Sequence, residues 1–418
     1  MSLAEWRQAI VAPTTYRVGN STVRLQTRFI AIIVVFSVVA LLYIAYPFQG
    51  SGAENHFRSQ PSALSPSLNE IPDGAGAGGK KAAVLWSTHR RIVLDTPYPL
   101  TKPVSTEKGL RYRIGIITDL DLESKTSTGK WISYMRRANL FLQYKKDDPK
   151  SSKVTIEWEN GEPHIIKSGV NEDGRGMELS ELMIFNGKLY SCDDRTGIVY
   201  ELTKLDAEEV VPVPWVILAD GNGTVSKGFK CEWSCVKGDH LWIGGLGKEW
   251  TTSSGELVNH NPQFVKSISA AGEIRHHDWK LRYQKLAKAL DIVFPGYVIH
   301  ESGGWSDVWK KWVFLPRRAS KEQYNDKTDE KKGTNIMLLT DEDFTNVEVR
   351  HIGDVIPTHG FSSFKWIPGT GDNLIVALKS EEIDGKTASY IMVFDMDGNI
   401  LVPETKVGDH KYEGVEFL

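Results

Sequence analysis

From Pro97 onward the chain is a succession of short apolar alternations broken by turn residues, and a period of two commits it to β-structure. Residues 111–121 (RYRIGIITDLD) alternate and end in acids, and residues 186–202 read as strand, polar turn, strand. Residues 373–407 repeat the theme, with Asp384-Gly385 and Asp397-Gly398 supplying turns. One stretch has helical spacing instead: Trp279, Tyr283, Leu286 and Leu290 share a face, and Asp278 is its candidate N-cap. Many short strands with almost no helix predict an all-β body, as a sandwich, barrel or propeller.

A loose recurrence favours the propeller. Small polar or acidic residues end strand-like runs at Ser180, Glu232, Glu301, Ser362 and Glu413, at intervals of 52, 69, 61 and 51 residues. Each interval would hold one four-stranded blade, somewhat longer than a compact repeat of about 40–45 residues.

Composition narrows the function. A formal charge of -3 gives no general pull toward nucleic acid. Thirteen Trp is a high count, and Trp is placed where it packs a core or lines a site. Three Cys allow at most one bridge. On one strand Cys231 and Cys235 would stand about 13 Å apart, too far to join. Buried free thiols are the expectation.

The N-terminal part is of another kind. Phe29 to Tyr46 is eighteen residues without a charge, near the lower limit for crossing a bilayer core of roughly 30 Å. Arg7, Arg17, Arg24 and Arg28 precede it against Glu5 alone, and Glu54 and Arg58 follow. The positive-inside rule then predicts a cytosolic tail (1–28), an uncleaved signal anchor (29–46), and everything later across the membrane. A cleaved signal peptide fits less well, because no small-x-small site closely follows Tyr46. Residues 47–97 read as a flexible stem rich in Ser, Pro, Gly and Ala, whose cleavage would release a soluble form. Its GAGAGG run, Gly74 to Gly79, matches a dinucleotide-loop spacing but lacks the preceding strand, so it carries no phosphate-binding reading.

Eight colinear blocks carry a family resemblance: GRGMELS, DDRTG, PWVILADGNGTVSKGFKCEW, GGLGKEWTT, PGYVIHES, FLPRRAS, PTHGFSSFKW and KYEGVEFL, between Gly174 and Leu418. They resemble the calcium-activated nucleotidases, or apyrases, over about 98–418. The resemblance implies a five-bladed β-propeller with Ca2+ in its central channel. It also implies calcium-dependent hydrolysis of nucleoside diphosphates, and the anchored layout resembles the vertebrate-type form of the endoplasmic reticulum and Golgi. By motif position the ion's side-chain ligands would be Ser180, Glu232, Glu301, Ser362 and Glu413, the same five positions that recur. Three carboxylates and two hydroxyls suit calcium, which takes hard oxygen ligands. A purely blade-pinning role for the ion remains open at this level.

Hydrolysis of a diphosphate needs an in-line water, neutralised phosphate oxygens and a group that positions the water. Asp119 and Asp121, taken to end a strand on one face, are the candidates for the water, Asp121 first; a plain turn is the rival reading. Arg195 and Arg317 are candidate phosphate clamps, since the guanidinium fork suits phosphate oxygens. Arg318 is expected to form a structural ion pair. Lys230, Lys365 and Lys379 would add positive charge or lie on the surface.

Asp220-Gly-Asn-Gly-Thr resembles the opening of an EF-hand loop, but it lacks the later glycine and acid and reads as a hairpin turn. Asn222 opens a glycosylation sequon. His276, His277, His300 and His359 have no zinc spacing, and the last two read as core or ligand-supporting residues. Trp233, Trp305 and Tyr412 are expected in the core rather than against a base. Serine hydrolase, zinc protease and P-loop signatures are absent. UDP and GDP left by glycosyltransferases are the expected substrates. A broad ATP/ADP apyrase, a propeller glycosidase and a lumenal binding propeller remain alternatives, and a homodimer is compatible with all of them.

Overall fold

The computed structural model describes residues 14–18, 21–25 and 98–418. The predicted anchor and stem lie outside the described residues. Two compact units divide the chain, Met1–Trp86 and Ser87–Leu418. In the first, Thr14–Val18 and Ser21–Leu25 pair as an antiparallel hairpin.

The second unit is all-β, with one short helix of note. Three four-stranded antiparallel sheets span residues 233–278, 297–351 and 359–408; the last two are built from consecutive strands, and the first is interrupted by a small two-stranded sheet, Trp250–Thr251 with Leu257–Asn259. A ten-stranded sheet holds the remaining long strands. Within it Tyr412–Phe417 pairs antiparallel with Gly109–Thr118, so the last strand of the chain lies beside the first long one. At the middle of this sheet only two residue pairs are parallel, Glu209 with Ile165 and Val210 with Ile166.

Five strands form a closed circuit of contacts. Leu179–Phe185 touches Trp233–Lys237, which touches Tyr297–Ser306, then His359–Trp366, then Tyr412–Phe417, which returns to Leu179–Phe185. Glycine permits this crowding: a Cβ on Gly414 would come within 2.5 Å of Leu182 N.

The core is divided accordingly. Five larger apolar clusters fill the spaces between sheets rather than one central mass. One is aromatic: Trp233, Trp279, Trp305, Trp312, Phe314 and Phe344 are all buried, and Trp279 meets Trp312 edge-on at 5.0 Å. Such pairs add roughly 0.5–1.5 kcal/mol beyond area burial. The helix Lys280–Lys288 supplies Tyr283 and Leu286 to this cluster, as its spacing predicts. Its N-cap is Trp279 rather than Asp278, because Asp278 still belongs to the strand Ile274–Asp278.

The thiol expectation is corrected: Cys192 and Cys231 form a disulfide, and Cys235 alone is free. The geometric argument against Cys231 with Cys235 stands. Cys192, 39 positions earlier, meets Cys231 inside one buried apolar cluster and not by spacing along one strand.

Candidate active site

The five recurring positions do not end strands. Four lie where the inner strand slips register against its neighbour. Pairing jumps from Leu179 to Glu181, from His300 to Gly303, from Phe361 to Ser363 and from Tyr412 to Gly414. Ser180, Glu301, Ser362 and Glu413 are thus the bulged residues. Glu232 immediately precedes Trp233–Lys237, its N–H donating to Gly244 O at 2.8 Å. A bulge re-aims one side chain out of the pleat's alternation, which is how a closed circuit of strands can turn one residue each toward its axis.

Glu232, Glu301 and Glu413 line one cavity of about 490 Å³, together with Asp119, Asp121, Lys230, Arg317 and Lys411. Arg317 ties the sheets together. Its Nη1 contacts Glu301 and lies 2.8 Å from Glu413 Oε1, and its Nη2 lies 2.5 Å from Glu382 Oε2. Lys411 Nζ lies 2.7 Å from Asp119 Oδ2 and 2.5 Å from Asp121 Oδ2. Lys230 contacts Asp194 and lies 2.9 Å from Glu232 Oε1, though not aligned for a hydrogen bond. Arg175 joins Asp121 at 3.0 Å and also contacts Glu178.

Charge is unbalanced here. Six buried carboxylates (Asp119, Glu178, Asp194, Glu232, Glu301 and Glu413) share four cations, Arg175, Lys230, Arg317 and Lys411. Burial pushes Glu232 up to about 8 against the pull of Lys230, and Glu178 up to about 7 against its hydrogen bond from Arg175. Burial also holds Glu413 well above the ordinary carboxylate range, with Lys411 and Arg317 opposing. For Glu382 the order reverses: burial raises it, but Lys411 and Arg317 prevail and bring it down to about 2.

The donor set fits a hard cation. Ser180 Oγ and Asp194 Oδ1 are buried without a hydrogen-bond partner, and Glu232 Oε1 has only the Lys230 ammonium beside it. Buried polar atoms left unmatched are costly and mark a site for an ion or water. The three predicted glutamates are not drawn into one tight cluster. Among the described residues, the acids whose ligand oxygens all lie within 4.8 Å of one another are Asp119, Glu178 and Asp194.

Asp119 and Asp121 share a site for a reason other than the predicted one. The strand ends at Thr118, and Asp121 opens a 3-10 turn with φ +47°. The Asp121 N–H donates to Asp119 Oδ1 at 2.8 Å, folding the pair back onto Lys411. Asp119 is buried, whereas the Asp121 side chain is 44% exposed and reachable by solvent.

The other predicted residues divide. Arg195 is half-buried in the turn after Asp193, and its guanidinium has no ion-pair partner among the described residues. Arg318 pairs with Asp329 at 2.8 Å, the structural ion pair expected. Lys365 lies elsewhere: it pairs with buried Glu181 at 3.0 Å and lines a separate cavity of about 480 Å³ with Cys235 and Trp305. Lys379 is buried against Glu404 and Phe361. His359 pairs with Glu404 at 2.7 Å, and His300 is buried against Tyr283. Trp233, Trp305 and Tyr412 are all core. Asp220 opens a longer loop than a hairpin turn, closed by an isolated Ala219–Gly228 bridge, with Asn222 exposed on it.

Residue-by-residue reasoning missed Arg175, Glu178, Asp194, Lys411 and Glu382. The first four lie inside the GRGMELS, DDRTG and KYEGVEFL blocks, one to five residues from a chosen position. A tighter reading of those blocks was the available signal; Glu382 had none.

The sequence matches the family profile described as Apyrase over residues 120–418. It is 51% identical over 322 residues to soluble calcium-activated nucleotidase 1 of Rattus norvegicus, covering 77% of each chain. It is 42% identical over 327 residues to an apyrase of Cimex lectularius, covering 78% of this chain and 87% of that one. Apyrase apy-1 of Caenorhabditis elegans is 45% identical over 309 residues, covering 73% and 84%.

Proposed function

Because the chain belongs to the apyrase family and is a nucleotide-hydrolysing enzyme, we propose that it cleaves nucleoside diphosphates, UDP and GDP first, in a calcium-dependent reaction. The observation that carries this reading is the set of bulged residues, Ser180, Glu301, Ser362 and Glu413, on a closed circuit of strands, of which Glu301 and Glu413 line a cavity with Lys230, Arg317 and Lys411.

We read that circuit as a five-bladed propeller. The ten-stranded sheet divides at its two-pair parallel contact into two antiparallel units, which join the three separate sheets. Ca2+ would be held by Ser180, Glu232, Glu301, Ser362 and Glu413, and would neutralise diphosphate oxygens while ordering the five strands. A specific observation favours a second position, between Asp119, Glu178 and Asp194, whose oxygens already converge.

The chain's own residues supply the rest. Lys230, Arg317 and Lys411 line the cavity and present cations to the two phosphates, and Arg195, half-buried and outside that lining, is a further candidate clamp. Asp121, solvent-reachable and fixed by Arg175 and Lys411, accepts a hydrogen bond from the attacking water and sets it in line with the leaving oxygen. Asp119 acts through Lys411, holding its ammonium in place.

The N-terminal apolar run supports a single-pass type II anchor with the enzyme in the lumen of the endoplasmic reticulum and Golgi. Clearing diphosphates left by glycosyl transfer would be the task there, by the membrane-bound chain, its homodimer or a form released by stem cleavage. The test is phosphate release from UDP, GDP, ADP and ATP by the purified full chain, with calcium, magnesium or chelator. Release from UDP and GDP that chelator abolishes is expected. Preference for ATP would move the assignment to a broad apyrase, and no release would overturn it.

A further inference from the structure

Two neighbouring positions of the proposed calcium set stand on different kinds of backbone. Ser180 is turned out by a bulge, where pairing jumps from Leu179 with Asp193 to Glu181 with Cys192. The strand opposite that bulge, Lys188–Asp193, is fixed at this end by Asp193. Its carboxylate accepts from Met177 N–H at 2.9 Å and from Arg195 N–H at 3.0 Å.

Glu232 has a looser frame. It belongs to an irregular segment, residues 229–232, that runs into the strand Trp233–Lys237. Phe229 N–H donates to Leu218 O and Glu232 N–H to Gly244 O, each at 2.8 Å, and between them Lys230 and Cys231 lie outside any strand. Backbone outside a ladder shifts easily unless another contact holds it.

The Cys192–Cys231 disulfide is that contact. Both cysteines are fully buried, with Cα atoms 6.4 Å apart. Cys192 stands opposite the Ser180 bulge, and Cys231 adjoins both Lys230 and Glu232 along the chain. One covalent bridge therefore links the strand facing Ser180 to the segment that carries Glu232, beside two touching strands of the circuit.

We propose that the Cys192–Cys231 bond positions Glu232 relative to Ser180 for the cation, so that calcium affinity depends on whether the bond is closed. This inference rests on the calcium-dependent reading of the site and adds a redox dependence to it. Calcium affinity follows the rigidity of a site as well as its charge. A ligand already held in place loses little freedom when the ion arrives, whereas a loose one must be ordered by it. A dithiol opens the bond in two exchanges. Its first thiolate attacks one sulfur and breaks the S–S bond, and its second displaces the resulting mixed disulfide. The dithiol gives up two electrons and two protons and closes into its own disulfide, and both cysteines end as thiols.

The experiment uses the full chain carrying Cys235→Ala, before and after reduction by dithiothreitol, with opening counted as two new thiols on a denatured sample. The same chain with Cys192→Ala and Cys231→Ala added gives an open form that needs no reductant. Calorimetry reads the calcium Kd, and urea unfolding in chelator reads stability. Both open forms are expected to bind calcium about tenfold more weakly, and reoxidation should restore the reduced sample. The calcium needed for half-maximal phosphate release from UDP should rise by the same factor, while kcat at saturating calcium stays within about twofold. Leu140→Ala, in a core cluster away from the cavity, is the control that lowers stability and leaves the Kd unchanged. A Kd that the open forms share with the closed chain, whatever their stability, would overturn the proposal alone. So would open forms that fail to fold even in calcium, since the bond would then be purely structural. No calcium binding by the closed chain would overturn the functional reading as well.

Discussion

Arg317 Nη1 lies 2.8 Å from Glu413 Oε1, although the two residues stand 96 positions apart and on different sheets. The same nitrogen contacts Glu301, so one buried guanidinium is shared by two carboxylates of the proposed calcium set. Removing it would leave buried charges unmatched. Arg317→Met should lose about 3–5 kcal/mol of stability in chelator, read by urea unfolding. Calcium should restore part of that loss, because a cation near Glu301 and Glu413 replaces the missing charge. Phosphate release should fall about a hundredfold or more even with calcium present.

The two candidate cation positions separate by substitution. Glu232→Gln and Glu413→Gln should each weaken calcium binding on the order of tenfold or more, measured by calorimetry, since ligand charge sets affinity. Asp194→Asn should change it far less. The reverse order would place the ion between Asp119, Glu178 and Asp194. Calcium at a hundred times its Kd should add about 2.7 kcal/mol to unfolding stability in wild type.

Cys192–Cys231 ties the strand Lys188–Asp193 to the segment just before Trp233–Lys237. Cys192→Ser should cost about 2–4 kcal/mol in chemical unfolding, close to the chain-entropy expectation for a loop of this length. Cys235→Ser, at the free thiol, should be nearly neutral.

Lys266 is fully buried, its Nζ donating to Gly221 O, and burial draws its pKa down to about 8. In the unfolded chain it holds its proton to about 10.5. Between those values the unfolded state binds more protons than the native state, so this group makes stability rise with pH. Lys266→Met should remove that rise, on the order of 3 kcal/mol across the window. The check is unfolding of both proteins at pH 7 to 10.5.

Lys365 tests whether the second cavity takes part in chemistry. Its partner Glu181 is buried, so Lys365→Met should cost about 3 kcal/mol or more in stability. The kcat/KM for UDP should stay within about twofold of wild type, because the lysine lies outside the cavity holding Asp121 and Arg317. A large kinetic loss without destabilisation would return Lys365 to the phosphate site.

The period-two runs settled the strands at 188–193, 198–203, 374–383 and 386–395, because alternation is a local property that pairing then satisfies. The helix was equally legible, since Trp279, Tyr283 and Leu286 bury one face. Chemistry and interval picked out Ser180, Glu232, Glu301, Ser362 and Glu413. Only the tertiary structure decided how they turn. A slip of one residue in pairing reverses which face a side chain takes, and no local pattern announces where a strand will slip. The same limit explains Lys365, assigned to the phosphates by charge but held by Glu181 at another cavity. Lys411 and Asp119 stand 292 positions apart and meet because the chain's last strand pairs with its first long one. Sequence by itself determined the kinds of residue and the rhythm of the strands. Closure of the sheets determined which charges share a cavity, since ion pairs depend on distance in space and not along the chain.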